Sequence, residues 1–282
     1  MFAIREAQKL APTVARLVVE APLVARKRQA GHFVIVRVNE GGERIPLTMV
    51  DGDAAAGTVT LIVQAVGKTT KLLCALRAGD GIADLVGPLG HPTPIERYGE
   101  VACVGGGVGT AELLPIARAL HAAGNEVHAI LGARSRDFVI LQDEMAACSA
   151  TLAVTTDDGS QGRKGLVTDA LRDRLRDRPG IGAVYAIGPL PMMKAVAEET
   201  RPAALKTLVS ANPIMVDGTG MCGGCRVTVA GEIRFACVDG PEFDAHQLDF
   251  DELIRRNRTY VDLERYADAL HEAEADGNGA WP

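Results

Sequence analysis

Three hydrophobic patterns follow one another along the chain. From Phe2 to about Pro94 the pattern is short and alternating. Val14–Glu20, His32–Val38 and Thr58–Gln64 place apolar side chains at every second position, between Gly- and Pro-containing turns. A period of two buries one face and solvates the other, so these stretches predict strands of a small antiparallel barrel. One helical piece is expected, at about Thr69–Leu76, and Gly87–Gly90 reads as a turn. Near Glu100 the pattern changes. Val101–Val104 is an apolar strand, a glycine-rich turn follows, then an apolar-periodic helix over Ala111–Ala123 and a second strand over Glu126–Leu131. Strand, glycine turn, helix, strand is a βαβ unit of a parallel, Rossmann-like α/β sheet. Thr151–Thr155, Ala183–Ile187 and Leu205–Val209 extend it with strands. Helices are expected over about Leu166–Arg176 and from Met193 to about Thr200. The third pattern is a cysteine-bearing loop, then an apolar-periodic, mixed-charge stretch over Phe250–Leu270 that reads as helix. It could pack on its own chain or on a partner. The polar residues from about Ala273 to Pro282 read as a frayed end. The expected division is a barrel over 1–98, an α/β domain over 99–209 and a small module over 210–282.

Composition narrows the classes. A chain of 282 residues has room for two domains and an appendage. Its 47% hydrophobic content and net charge of −6 suit a globular protein and weigh against a nucleic-acid or anionic-membrane role. No apolar run is long enough to span a bilayer. Charges stand at Arg5 and Glu6, where a signal peptide has its apolar core, so no export and a cytoplasmic location are expected. Cys74, Cys103 and Cys148 lie in apolar surroundings and read as buried thiols of a reducing compartment.

The candidate chemistry concentrates in four stretches. Asp217-Gly-Thr-Gly-Met-Cys222-Gly-Gly-Cys225, closed by Cys237, follows the plant-type two-iron spacing of C-x4-C-x2-C with a distant fourth ligand, except that aspartate holds the first position. The interleaved glycines bend the loop and turn amides inward, as a negatively charged metal–sulfur centre requires. Zinc and redox-active thiols are the rival readings, although one CxxC without histidine is a poor zinc set. Gly105-Gly106-Gly107-Val108-Gly109-Thr110 suits a pyrophosphate at a helix N-terminus, but it is not a clean G-x-G-x-x-G, and an unliganded turn is the bland alternative. Arg44-Ile-Pro46-Leu47-Thr48 offers a phosphate-pairing cation and a hydroxyl around a rigid proline. Gly67-Lys68-Thr69-Thr70 opens a helix whose first amides are free for a pyrophosphate. A surface arginine and an ordinary N-cap are the bland readings of these two. His32 reads as a strand residue. No carboxylate ends the second parallel strand and Arg134 and Arg136 follow it, which taken alone leans to NADP over NAD.

Together these stretches resemble the ferredoxin-reductase superfamily across nearly the whole chain. The likeness is to its electron-transfer subunits: that of dihydroorotate dehydrogenase B and, more closely, the small-subunit type of NADH-dependent reduced ferredoxin:NADP oxidoreductase. The motifs that carry it are Arg44–Thr48, Gly105–Gly109, Gly188-Pro189-x-x-Met192, the Asp217/Cys222/Cys225/Cys237 set and Phe235-Ala-Cys-Val-Asp-Gly-Pro-Glu-Phe243. The resemblance implies FAD, NAD(H), with NADP(H) as the lesser alternative, and a 2Fe-2S cluster. Thr48 would approach flavin N5 and Arg44 the flavin phosphates, in a site completed by Pro46 and Leu47. Gly67, Lys68, Thr69 and Thr70 would hold the FAD pyrophosphate. Gly105 to Thr110 would hold the nicotinamide nucleotide, and Asp157, Gly188, Pro189 and Met192 would line its site. Asp217, Cys222, Cys225 and Cys237 would ligate the cluster, aspartate being the mark of the second subunit type. Hydride would pass between NAD(H) and flavin, and single electrons through the cluster to a larger flavin/iron–sulfur subunit, with ferredoxin reached through that complex and bifurcation as the wider reaction. Two departures stand out. Leu47 replaces the aromatic residue that stacks on the flavin, with the arginine one residue early, and Ile187 replaces a cysteine near the nicotinamide. The alternatives are an electron-transfer subunit for dihydroorotate dehydrogenase or another flavoenzyme, and a non-catalytic nucleotide-binding regulatory subunit with structural zinc.

Overall fold

Alternation in the first third closes a nearly complete barrel. In the structure, a computed structural model that describes residues 1–275, β1 (Phe2–Ala11), β2 (Val14–Glu20), β3 (Phe33–Arg37), β4 (Ile45–Asp53), β5 (Thr58–Gln64), β6 (Gly81–Ile82) and β7 (Asp84–Leu89) are joined antiparallel in the order β6-β1-β2-β5-β4-β3-β7. Leu17, Val19, Val34, Val36, Met49 and Leu61 fill its interior. Two short helices, α1 (Pro22–Ala25) and α2 (Lys68–Ala75), cover it. The turn expected at Gly87–Gly90 is instead largely strand. Val86 pairs with Ile35 and Leu89 with Phe33, and the extra residue is absorbed as a register shift. Gly87 makes this possible, because a Cβ there would come within 2.6 Å of Val34 Cγ1.

The middle third is a doubly wound sheet. Its elements are β8 (Glu100–Gly106), α3 (Gly109–Ala122), β9 (Glu126–Ala133), α4 (Gln142–Ala146), β10 (Thr151–Thr156), β11 (Arg163–Lys164), α5 (Val167–Asp177), β12 (Ile181–Ile187), α6 (Leu190–Thr200) and β13 (Thr207–Ser210). The parallel order β11-β10-β9-β8-β12-β13 reverses direction beside β8, and such a reversal opens a crevice at the strand C-termini. At the opposite, N-terminal edge, buried His128 sits 3.2 Å from Glu100 and 3.0 Å from Thr151. Arg178 lies within 3.7 Å of Glu100 and 3.5 Å of Glu126, so this cluster of acids already has its cation.

The last third holds β14 (Arg226–Val229), β15 (Glu232–Phe235), α7 (Ala236–Asp239), β16 (Glu242–Asp244), α8 (Phe250–Asn257) and α9 (Val261–Ala275). β16 pairs antiparallel with β13, so the cysteine module is stitched to the parallel sheet. One core runs through both, from Val184 and Val209 to Val227, Cys237 and Phe250. The tail expected as one helix is two. Asp249 caps α8 by accepting from the Glu252 amide at 2.8 Å, and the Arg258 and Thr259 amides close its end on Arg255 and Arg256 carbonyls. α9 then folds back onto α2, where Lys71 Nζ lies 2.8 Å from Asp268 and 2.6 Å from Glu272. This end thus packs on its own chain, while Leu263 and Tyr266 stay about two-thirds exposed, at 66% and 64%. Ala273–Ala275, expected to fray, belong to α9, and residues 276–282 lie outside the described part. Of the three thiols expected to be buried, Cys103 and Cys148 are, and Cys74 is half-buried. No helix among the described residues is long and apolar enough to cross a membrane.

Candidate functional site

The glycine loop between β8 and α3 shapes the floor of a crevice of about 600 Å³. Gly107 takes a positive φ of 56°, and its amide donates to the Gly132 carbonyl at 2.8 Å. Gly106 has no room for a side chain, since a Cβ would fall 2.3 Å from Met192 Sδ. A Cβ on Gly109 would strike the Ile187 carbonyl oxygen at 2.5 Å. The loop therefore sits directly on the β12–α6 turn, and sequence-distant Gly188, Pro189 and Met192 join Gly106–Gly109 on one wall. Gly105 and Thr110 lie behind that wall, with buried Thr110 packed under Gly105. This contact explains why threonine ends the motif. Asp157 lines the opposite rim with Arg134, whereas Arg136 is not on the wall. The loop and the N-terminus of α3 line a space of nucleotide size, so the residues fit a dinucleotide. Ile187, in the place of the missing thiol, also lines it.

A second cavity, of about 210 Å³, opens against the barrel. β3–β4 pairing sets Thr48 opposite Phe33 and Leu47 opposite Val34, and Pro46, Leu47 and Thr48 all face the cavity. Thr70 closes its other end. Its hydroxyl accepts from the Val66 and Gly67 amides at 2.9 and 3.1 Å and donates to the Gly67 carbonyl at 2.9 Å, which holds the start of α2 rigid. Gly67, Lys68 and Thr69 flank this lining without joining it. Lys68 is exposed, and Thr69 donates to Glu43 at 2.6 Å. Arg44 is also off the wall, 3.7 Å from Asp84 on the barrel rim. The space, walled by the Thr48 hydroxyl and by Thr70 of α2, whose first amides lie nearby, offers groups that a flavin nucleotide can use. No aromatic ring stands where Leu47 is. His32 is structural, its Nδ1 accepting from the Gln29 amide at 3.1 Å.

The cysteine loop wraps onto both cavities' neighbours. Gly218 has a φ of 76° and lies so close to Leu89 and Ile35 that a Cβ would come within 2.6 Å of the first. Cys225 and Cys237 are buried with their sulfurs 3.1 Å apart, and Cys222 is exposed. Burial, then the Cys225 thiol, pushes the Cys237 thiol up to about 12, and the Asp217 charge adds to that. The Asp217 carboxylate accepts from the Thr219 amide at 2.7 Å and the Cys222 amide at 2.8 Å, and these bonds, Thr219 first, hold it below the usual carboxylate range. Three thiols and one ionised carboxylate thus belong to one glycine-rich loop and the start of α7, with Cys225 and Cys237 in contact. This donor set fits iron better than a four-thiolate zinc site. The loop also reaches the flavin cavity, because Met215 and Pro241 form part of its wall.

Sequence reasoning missed the residues where the two cavities meet: Gln64, Val108, Glu112, Ser210 and Asn212 line both, and only Val108 was singled out. Glu112 carried no local signal, since an acid in the first turn of a helix is an ordinary N-terminal charge. Burial pushes its carboxyl up to about 7, while the Thr48 hydroxyl beside it favours the charged form. Glu242 on β16 is pushed up to about 8 by burial, with Thr93 opposing and the Glu112 charge adding.

Comparison with known proteins follows this geometry. Residues 103–198 match the oxidoreductase NAD-binding domain, and residues 212–249 match the iron–sulfur cluster binding domain of dihydroorotate dehydrogenase B. The chain is 48% identical over 271 residues to a dihydroorotate dehydrogenase B (NAD(+)) electron transfer subunit homolog of Thermotoga maritima, covering 94% of this chain and 95% of that one. To the dihydroorotate dehydrogenase B electron transfer subunit of Streptococcus mutans it is 34% identical, over 86% of this chain and 95% of the other. Among solved structures, a chain of the NADH-dependent reduced ferredoxin-NADP oxidoreductase, from a study of flavin-based electron bifurcation, superposes with a TM-score of 0.90 at 47% identity, covering 95% and 96% of the two chains. Phthalate dioxygenase reductase shares the fold, with a TM-score of 0.58 at 17% identity over 81% and 85% of the chains.

Proposed function

This chain belongs to the family of dihydroorotate dehydrogenase B electron-transfer subunits, which takes in the small-subunit type of NADH-dependent reduced ferredoxin-NADP oxidoreductase, and from that premise we propose how its residues divide the work. It is an NAD(P)H-dependent flavin and iron–sulfur oxidoreductase subunit that carries FAD, a 2Fe-2S cluster and NAD(H) and works with a larger catalytic subunit. The division is 1–98 for FAD, 99–209 for the nicotinamide and 210–282 for the cluster. The carrying observation is the order of contact. The flavin cavity shares walls with the nicotinamide cavity through Gln64, Glu112 and Ser210, and with the cluster loop through Met215 and Pro241.

When bound, the flavin supplies hydride exchange with the nicotinamide and one-electron exchange with the cluster. The protein binds, orients and shields. Gly106–Gly109 hold the dinucleotide phosphates at the α3 N-terminus. Gly188, Pro189, Met192 and Asp157 set the depth of its nicotinamide end, with Gly105 and Thr110 bracing the loop from behind. Thr48 would offer its hydroxyl to the flavin, Pro46 and Leu47 would pack against it, and Thr70 with Gly67, Lys68 and Thr69 would hold its pyrophosphate. Arg44, 3.7 Å from Asp84, would pair with the phosphates. Asp217, Cys222, Cys225 and Cys237 would ligate the cluster. Cys222 is exposed and flanked by Met221 at 89% exposure, with Val216 and Val238 also exposed, so electrons leave from that side to the larger subunit. Arg134 lines the crevice and would face the adenosine end. The free thiols support a cytoplasmic location, and the wider reaction is bifurcation among NADH, ferredoxin and NADPH. An anaerobic absorption spectrum before and after NADH, with iron and acid-labile sulfide counted on the same sample, tests this. Flavin bands bleached by NADH, with about two irons and two sulfides per chain, are expected. Zinc without sulfide would sink the cluster assignment.

A further inference from the structure

Two arginines converge on the glycine pair between Cys222 and Cys225, and the division of work above leaves both unused. Arg256 stands in the last turn of α8 and donates from Nη2 to the Gly224 carbonyl at 3.2 Å. The Gly224 amide in turn donates to Cys222 Sγ at 3.4 Å. Arg226 opens β14 and reaches the other glycine, with its Nη1 3.1 Å from where a Cβ on Gly223 would stand.

An arginine at a helix C-terminus has an ordinary use, since the dipole and the last carbonyls attract it. Arg255, in the same turn and exposed, suits that use. Arg256 instead leaves its helix for a carbonyl 32 residues earlier in the chain, and its Nε is buried without a partner among the described residues. Asn257 beside it donates from Nδ2 to the Asn212 carbonyl at 2.9 Å, at the first residue of the stretch matched to the iron–sulfur binding domain. The end of α8 thus grips the cysteine loop at two points. Among the described residues neither Arg226 nor Arg256 pairs with a carboxylate, whereas Arg234 on the β14–β15 hairpin is held by Glu232 at 2.6 Å. Two guanidinium charges therefore flank one turn of a chain whose net charge is −6.

We propose that Arg256, acting through Gly224, and Arg226, at Gly223, form a cationic clamp that fixes the turn between Cys222 and Cys225 and favours the reduced form of the centre held there. The proposal rests on the reading that Asp217, Cys222, Cys225 and Cys237 hold an iron–sulfur cluster. Three thiolates and a carboxylate make such a centre anionic, and an electron taken up there adds one more negative charge. A fixed guanidinium lowers the energy of the more negative form further than that of the less negative one. The Gly224 amide acts in the same direction, because a hydrogen bond to the Cys222 sulfur stabilises added charge. That amide keeps its aim while Arg256 holds the carbonyl of the same residue. Arg256 is thus a positioning residue as well as a charge, and Arg226 acts by its charge.

The test is a redox titration of the cofactor-loaded chain, with the reduced cluster read by electron paramagnetic resonance and iron and sulfide counted on each sample. Arg256→Met removes the charge at similar bulk. It should keep iron and sulfide and move the midpoint to lower potential, so that at the native midpoint the ratio of reduced to oxidised cluster falls by about tenfold. Arg226→Met should move it the same way by less, since that side chain is exposed and its charge is screened. Arg256→Lys keeps the charge without the planar fork and should recover part of the shift. Methionine variants that retain iron, sulfide and the native midpoint overturn the proposal and leave the cluster reading intact. A native chain without iron and sulfide removes that reading and the proposal with it. If Arg256→Met fails to hold iron, Arg226→Met decides, and a native midpoint there overturns the proposal.

Discussion

The cluster loop and the cavity junction each hold one carboxylate close to redox chemistry, and they treat it in opposite ways. Asp217 sits among backbone amides, two of which donate to it, so the loop selects the ionised form. Glu112 sits at the cavity junction with no backbone amide donating to it among the causes of its shift, so desolvation raises its carboxyl to about 7 and the neutral form prevails below that. The same functional group is held anionic in one region and pushed toward its neutral form in the other. Position along the chain has no part in this. The difference is the number of N–H donors within reach.

The largest effect expected is on the cluster side. Cys225→Ser or Cys237→Ser removes one of two buried thiols whose sulfurs lie 3.1 Å apart, and if they ligate the cluster as proposed most of the iron and sulfide should be lost while FAD stays bound. Asp217→Ala should come next. It leaves two loop amides without an acceptor, costs about 1–2 kcal/mol of loop stability and lowers the iron count. Asp217→Cys should keep the iron and shift the visible spectrum, and an unchanged spectrum would mean that Asp217 caps the loop without touching metal.

On the junction side the contrast is read in stability against pH. Glu112 has an ordinary value of 4.5 and a folded value of about 7, so between these the folded chain holds a proton that the unfolded chain has lost. Stability should therefore fall as pH rises through that window and level off above it, by an amount of order 2 kcal/mol. Thermal melts of the cofactor-free Glu112→Gln chain should show a flatter profile between pH 5 and 7, and an identical profile would deny that Glu112 is buried uncharged. Asp217 has the opposite sign, since its contribution is present above its unfolded value of 3.8 and is lost only as pH falls below that. Glu242→Gln should give the smallest change, a further flattening displaced toward pH 8.

Much of the fold was legible because the periods are clean. Val14–Glu20 and Thr58–Gln64 are strands over the expected residues, and the helices near Lys68, Gly109 and Val167 begin within two residues of expectation. Errors fell where local signals compete with tertiary ones. Gly87-Pro88 is turn chemistry by composition, but Val34 crowds Gly87 and pairing with β3 draws the segment into the sheet. The tail's periodicity is continuous across Arg258–Tyr260, yet two helices form because α8 packs on the cluster module and α9 on α2. Among the candidate residues, Gly106–Gly109, Asp157, Gly188, Pro189 and Met192 do converge on one cavity, whereas Arg44 and Lys68 stay on the rim. Glu112 escaped notice because nothing about an acid in a helix's first turn distinguishes a solvated N-terminal charge from one facing a cavity.

What the sequence determined alone is the set of local commitments: period two in the barrel, apolar strands with a glycine turn in the sheet, and a glycine-spaced Asp-Cys-Cys run. Each depends on neighbours a few residues apart, so spacing is sufficient. What only the tertiary structure decided is adjacency. Thr48 and Glu112 come from different domains, Met215 and Pro241 flank the cluster ligands yet form the flavin's wall, and β16 returns to the nicotinamide sheet. The ionisation of Glu112 follows from that adjacency, because desolvation depends on what surrounds a carboxyl in space and not on what precedes it in the chain.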